Sequence, residues 1–69
     1  MLSNLIAEMA RIGINRSDLA KATGLSYGTI LKKVNGEYEF DMSEAKKIKQ
    51  KFFPDLSLEY LFEKEDKNK

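Results

Sequence analysis

A glycine at position 24 separates two short helical patterns, and it constrains the fold more than any other residue. The segment LAKATGLSYGTILKKVNG, residues 19–36, has a helix-forming pattern on each side of this glycine. Two helices joined by so short a turn cross at a steep angle, and the turn needs left-handed backbone angles, which glycine adopts at low cost. Ala20 lies one turn earlier, where a small side chain allows close approach. We therefore predict a defined two-helix geometry, with Leu25 and Ile30 filling the space between the helices.

Capping residues predict where the helices begin. Asn15 and Ser26 have side chains typical of N-caps, as does Ser57 further along the chain. Asp41 is followed three residues later by Glu44, which is the spacing of a capping box. The predicted helices cover about residues 2–12, 16–23 and 27–35, then a fourth helix that follows Asp41 and ends before Pro54, and a short fifth helix after Ser57.

The apolar residues of these segments predict one hydrophobic core. The connection GEYEFD, residues 36–41, alternates acidic and aromatic side chains, and we interpret it as extended, with Phe40 turned inward. In the fourth helix, Met42, Ala45, Ile48 and Phe52 are spaced to form the inner face. The expected core is Leu5, Ile6, Met9, Leu19, Ala20, Leu25, Ile30, Val34, Phe40, Ala45, Ile48, Phe52, Leu61 and Phe62. The prediction is an all-α fold, a single domain of five short helices over residues 1–63 with a charged, flexible tail over residues 64–69.

The amino-acid composition excludes most classes of enzyme and of metal-binding protein. The 69 residues include no cysteine and no histidine, so disulfides, thiolate metal sites and the commonest general base are excluded. No nucleophile–base pair or glycine-rich phosphate loop is present, and we expect neither an enzyme nor a cofactor. No apolar run approaches the roughly 18 residues that a membrane span needs. Zero cysteine also fits a reducing cytoplasm.

Charge is distributed unevenly along the chain. The net charge is only +1, yet residues 1–36 hold five basic and two acidic side chains, while residues 54–69 hold three lysines and five acidic ones. The positive charge therefore accompanies the two-helix segment. A field of this kind favours a polyanion at one face.

The two-helix segment from Arg16 to Gly36 resembles the helix-turn-helix of the lambda-repressor/Cro family, also called the XRE family. Residues 39–45 and 58–62 are similar to the fourth-helix region and fifth helix of small phage-type members. One position departs from the pattern, because Lys33 stands where many relatives have an apolar residue and Val34 takes over that role. The residues that carry the resemblance are Leu19, Ala20, Gly24, Leu25, Ser26, Ile30, Asn35 and Gly36.

The resemblance implies that the third helix enters the DNA major groove. The base-reading positions of the family then fall on Ser26, Tyr27, Gly28 and Lys32. Lys32 could reach a guanine edge, Tyr27 a base or phosphate, and Gly28 would let the backbone approach DNA closely. Ser26 and Thr29 could contact base or phosphate, and Arg16, Lys33 and Asn35 would hold phosphates. The predicted DNA-binding residues are Arg16, Ser26, Tyr27, Gly28, Thr29, Lys32, Lys33 and Asn35.

Several of these residues also have a purely structural interpretation. Tyr27 could cover the edge of the core, and Lys32-Lys33 could form a solvated helix face. The lysines of the fourth helix, Lys46, Lys47, Lys49 and Lys51, are interpreted as solvated. Leu31 is apolar and faces outward, so it could touch DNA methyl groups, pack on the 37–40 connection or join a dimer contact. These alternatives stay open at the level of sequence.

The function implied by the resemblance is a Cro- or repressor-like transcriptional regulator, of phage or prophage type, that binds a double-stranded DNA operator. We expect a homodimer on DNA, with contact near Leu58 and Tyr60, in the bacterial cytoplasm at the nucleoid. No small-molecule ligand or membrane partner is implied. Two alternatives remain: an antitoxin-type autorepressor, and a protein-interaction module on the same scaffold that uses Tyr27 and Leu31.

Overall fold

The predicted helices all form. The computed structural model describes residues 1–64, and within them the chain is all-helical, as expected. Residues 65–69, which belong to the predicted tail, lie outside the described residues. In the part that is described, no helix is long and apolar enough to cross a membrane. The helices are α1 (Ser3–Ile12), α2 (Arg16–Thr23), α3 (Tyr27–Asn35), α4 (Met42–Phe52) and α5 (Leu58–Leu61).

The four predicted N-caps are confirmed. The side chains of Asn15, Ser26, Asp41 and Ser57 each accept a hydrogen bond from a backbone N–H three residues later. The capping box of α4 is complete, because the Glu44 side chain accepts in turn from the backbone N–H of Asp41. Helix α2 has a second complete box, in which the Asp18 carboxylate accepts from the backbone N–H of Asn15. Each cap satisfies backbone donors that a helix start would otherwise leave unpaired.

One continuous core joins the helices. Helix α2 packs against α3 and α4, and α5 packs against α1 and α4. Ile6, Ala20, Leu25, Phe40 and Phe62, which were predicted in the core, are half-buried and pack against it. The buried hydrophobic residues are Leu2, Leu5, Met9, Leu19, Ile30, Val34, Ala45, Ile48, Phe53 and Leu61.

The buried residues at the two ends of α4 differ from the predicted inner face. Met42 is 62% exposed, because it is the first residue of the helix and side chains there tilt back toward the N-terminus, past the end of the core. Phe52 is half-buried and packs against the core as predicted, but the next residue, Phe53, is more deeply buried, at 2% exposure. Phe53 follows the last helical residue and has non-helical angles (φ −136°, ψ 56°), so helical periodicity does not describe where its side chain goes.

Polar contacts hold the short helix α5 against α1. The Tyr60 hydroxyl donates to the Glu8 carboxylate at 2.8 Å, and the Asn4 side-chain amide donates to the Tyr60 carbonyl at 2.9 Å. Hydrogen bonds from Arg11 and Tyr60 hold the pKa of Glu8 below its ordinary value, and the same carboxylate raises the pKa of Tyr60. The exposed side of α5 is thus tied into the fold through Tyr60.

The turn between α2 and α3 depends on a buried threonine next to its glycine. Gly24 has left-handed angles (φ 81°), and its N–H donates to the Ala20 carbonyl at 2.8 Å. The Thr23 hydroxyl donates to the Leu19 carbonyl at 2.9 Å and accepts from the Leu25 N–H at 3.2 Å. Thr23 is only 8% exposed. Its side chain therefore satisfies the backbone donor that lies just beyond the turn.

We expect Thr23→Val to lower the free energy of unfolding by about 1–3 kcal/mol, because it leaves the Leu25 amide without its acceptor. Urea denaturation measures the loss, and amide hydrogen exchange at Leu25 should become faster. Thr23→Ser keeps the hydroxyl and is the control: it should preserve the protection of that amide. A Thr23→Val protein that exchanges at Leu25 as slowly as the wild type would contradict this role.

Candidate nucleic-acid interface

Helix α3 has one buried edge and one exposed edge. Ile30 and Val34 are completely buried, at 0% exposure, and they anchor the inner edge. Tyr27 is 52% exposed, so about half of its surface remains available to a ligand. Thr29 and Leu31 are half-buried, and the three alternatives for Leu31 stay open. The exposed residues of the outer edge, with the cap, are Ser26, Tyr27, Gly28, Lys32 and Asn35.

Two hydroxyl groups are linked at the N-terminus of α3. The Ser26 hydroxyl accepts from the Thr29 backbone N–H at 3.2 Å and donates to the Thr29 hydroxyl at 2.9 Å. With Ser26 as the donor of this bond, the Thr29 hydroxyl can donate its own proton to another acceptor. A phosphate or a base edge is an acceptor of that kind.

Neither space nor backbone angles require glycine at position 28. A Cβ built there meets no heavy atom within 4 Å among the described residues, and its φ is not positive. Gly36, at the other end of α3, differs on both counts: its φ is 92°, and a Cβ would lie 2.9 Å from the Met1 backbone nitrogen. The surface around Gly28 is therefore open, and an additional methyl group would face outward.

The two adjacent lysines of α3 have different surroundings. Lys32 is exposed, with its Nζ 5.6 Å from the centre of the Tyr38 ring. The Lys33 Nζ donates to the Glu44 carboxylate at 2.7 Å and to the Glu39 carbonyl at 3.1 Å, and its side chain is only 13% exposed. The sequence predicts both lysines at the surface, and Lys33 is the one that differs. The sequence contains one indication of this difference: many relatives have an apolar residue at the position of Lys33.

The two remaining predicted residues lie at the end of α3 and at the start of α2. Asn35 is the exposed last residue of α3 and stays helical; only Gly36 takes a positive φ there. Arg16 is the half-buried first residue of α2. The structure thus gathers seven of the eight predicted contacts on α3 and its cap, with Arg16 on α2, and their contacts to DNA stay predictions.

The connection after α3 begins with a turn at Gly36 and bends at Glu37 and Tyr38, so it is not extended throughout as predicted. Phe40 is half-buried, as expected. The Phe40 ring meets Phe62 edge-on, with ring centres 5.3 Å apart. Tyr38 points outward and is 53% exposed. The connection therefore has one aromatic side chain packed inward, Phe40, and one at the surface, Tyr38.

Two lysines of α4 also differ in their surroundings. Lys49 donates to the Pro54 carbonyl at 2.9 Å, while Lys47 is exposed.

Comparison with known proteins identifies the class of domain. A family model described as the Cro/C1-type HTH DNA-binding domain matches residues 4–51. The matched range is most of the chain, and it contains α2, the Gly24 turn, α3 and nearly all of α4. No curated protein and no solved structure matches the chain.

We expect Gly28→Ala to raise the free energy of unfolding by about 0.5–1 kcal/mol, because a helical glycine loses more backbone entropy than alanine. The same change should weaken DNA binding, since the new methyl group would separate α3 from DNA. Thermal or urea unfolding and a DNA-binding titration measure the two effects. Ser43→Ala, at the equivalent exposed position of α4, is the control for binding. Unchanged affinity in Gly28→Ala would show that the α3 backbone does not approach DNA closely.

Proposed function

The chain belongs to the Cro/C1-type helix-turn-helix DNA-binding family, and from that premise we propose that it is a transcriptional regulator that reads a double-stranded operator with α3. The observation that supports this is that α3 has two different edges. Ile30 and Val34 are completely buried on one edge, whereas the residues of the opposite edge are exposed to solvent. A helix held in this way can place its side chains in the major groove without disturbing the core.

We propose separate roles for the residues of this edge. Lys32 takes the O6/N7 edge of guanine, and Tyr27 contacts a base edge or a thymine methyl group. The linked hydroxyls of Ser26 and Thr29 contact a base or phosphate beside the start of α3. Arg16 and Asn35 hold the DNA backbone on either side, which sets the register of α3 in the groove.

The experiment that tests the function is a DNA-binding titration over a range of salt concentrations, on duplexes selected from a random pool. We expect Lys32→Ala to cost about 1–3 kcal/mol on the selected site and to relax preference at one base pair. The matched control is Lys47→Ala, which removes an exposed lysine from α4 and should leave affinity nearly intact. If Lys32→Ala and Lys47→Ala behave alike, Lys32 is not a base reader.

We propose that two copies bind one operator, with recognition helices ~34 Å apart, as a Cro-like repressor in a phage or prophage circuit. The sequence suggested Leu58 and Tyr60 as the contact between copies. Tyr60 is engaged by Glu8, but Leu58 borders an apolar groove of about 300 Å³. Met42 borders the same groove and is 62% exposed. We therefore place the contact on the side of Leu58 and Met42.

We expect Met42→Lys to reduce the stoichiometry on a palindromic operator from two copies to one at limiting protein, because a charge in the groove would oppose close contact between copies. Analytical ultracentrifugation of the protein–DNA complex measures this. Since Met42 is exposed, the variant should fold normally, and its circular dichroism should match the wild type. Gln50→Lys, an exposed change elsewhere on α4, is the control. Two copies of Met42→Lys bound with unchanged cooperativity would place the contact elsewhere.

A protein-interaction module is the second candidate, and the exposed Tyr27 together with a net charge of +1 favours keeping it. The salt titration separates the two functions. Binding to DNA releases counterions, so affinity falls steeply as salt rises. Contact with a protein partner through Tyr27 and Leu31 would depend much less on salt, and no duplex would be selected from the pool.

A further inference from the structure

Lys33 is the more buried of the two lysines of α3. Its Nζ donates to the Glu44 carboxylate at 2.7 Å and to the Glu39 carbonyl at 3.1 Å. It also lies 5.7 Å from the centre of the Phe40 ring. The side chains of Lys33 and Glu44 are both 13% exposed. One amine therefore joins α3 to the 37–41 connection and to the start of α4.

A contact from Lys33 to phosphate would undo this arrangement. The amine would have to leave both oxygen acceptors, and the half-buried Glu44 carboxylate would lose its cation. That carboxylate would then remain close to α3, where it would repel the DNA backbone. Glu44 also accepts from the Asp41 N–H in the α4 capping box, so its own position is determined without Lys33.

The connection held by Lys33 reaches back to Lys32. The Lys32 carbonyl accepts from the Glu37 N–H at 2.9 Å, and the Tyr38 ring lies beside the Lys32 amine. The position of this ring depends on the course of the connection, which Lys33 holds at the Glu39 carbonyl. The two neighbouring lysines are thus connected through the chain segment that follows α3.

We propose that Lys33 is a positioning residue and not a phosphate ligand: its charge neutralises Glu44 and holds the 37–41 connection, and through Tyr38 it sets the place of Lys32 at the DNA. This inference rests on the proposed function of α3 as the DNA reader. It assigns opposite tasks to adjacent lysines, with Lys32 directed to the nucleic acid and Lys33 to the protein itself.

The test uses the full chain with Lys33→Met, Glu44→Gln and the double variant. Methionine keeps an unbranched apolar side chain beside Phe40, and glutamine keeps an acceptor for the capping box. Urea denaturation gives the unfolding equilibrium constants. Titration of a selected duplex at several salt concentrations gives the affinity and its salt dependence. Lys32→Met is the matched control for removing one positive charge from α3.

We expect Lys33→Met to weaken DNA binding by about fivefold, the size typical of a residue that acts on a site through its neighbours. The slope of log affinity against log salt should change by much less than the 0.9 that a lost phosphate contact gives. Lys32→Met should instead relax the preference at one base pair, because Lys32 is the proposed guanine reader. Adding Glu44→Gln to Lys33→Met should recover part of the affinity, because it removes the unpaired carboxylate. In unfolding, the two single changes should couple by about threefold or more.

A slope reduction of about 0.9 in Lys33→Met would overturn the proposal, since it would show a lost phosphate contact. Absence of coupling between Lys33→Met and Glu44→Gln in unfolding would also overturn it. If the wild-type protein binds no DNA duplex at all, the proposed function is wrong, and so is the proposed effect of Lys33 on DNA binding. The unfolding data would still show separately whether Lys33 and Glu44 are paired in the protein.

Discussion

The turn at Gly24 determines which side of α3 faces the core, and the rest of the site depends on that choice. The left-handed glycine reverses the chain within a few residues, and the Thr23 hydroxyl satisfies the Leu25 N–H just beyond it. A different crossing angle would rotate α3 about its axis and withdraw Ile30 from the core, where it is completely buried. The exposed edge therefore follows from a few hydrogen bonds at one turn and from the packing that they allow.

The far end of α3 is held as closely as its beginning. The Leu2 N–H donates to the Val34 carbonyl at 3.0 Å, and the chain start passes so near Gly36 that a Cβ there would meet the Met1 nitrogen. A helix of nine residues would be marginal in isolation. Backbone contacts at both ends, together with the buried side chains of Ile30 and Val34, fix the position of α3.

Whether the sequence predicts a feature of this structure depends on how far apart in the chain the interacting residues lie. The caps at Asn15 and Asp41 involve residues three apart, so local chemistry was sufficient to locate the helix starts. Phe53 is buried because of where the chain turns after α4, and Lys33 turns inward because Glu44 lies on another helix. Both depend on tertiary contacts that periodicity does not contain. The predicted readers on α3 were located by resemblance, and the structure adds which of them are accessible.

The acidic stretch after α3 shows why net charge is a poor guide to this interface. Glu39 lies in the connection after α3 and Glu44 in the first turn of α4, where free carboxylates would oppose a polyanion bound at α3. The structure pairs Glu44 with Lys33 and Glu39 with Lys64, so the field near α3 reflects pairing as well as composition. The net charge is only +1, so the total charge by itself favours DNA little. In the function proposed above, discrimination among DNA sites therefore depends on direct contacts along the outer edge of α3, where the geometry of a few side chains outweighs the total charge.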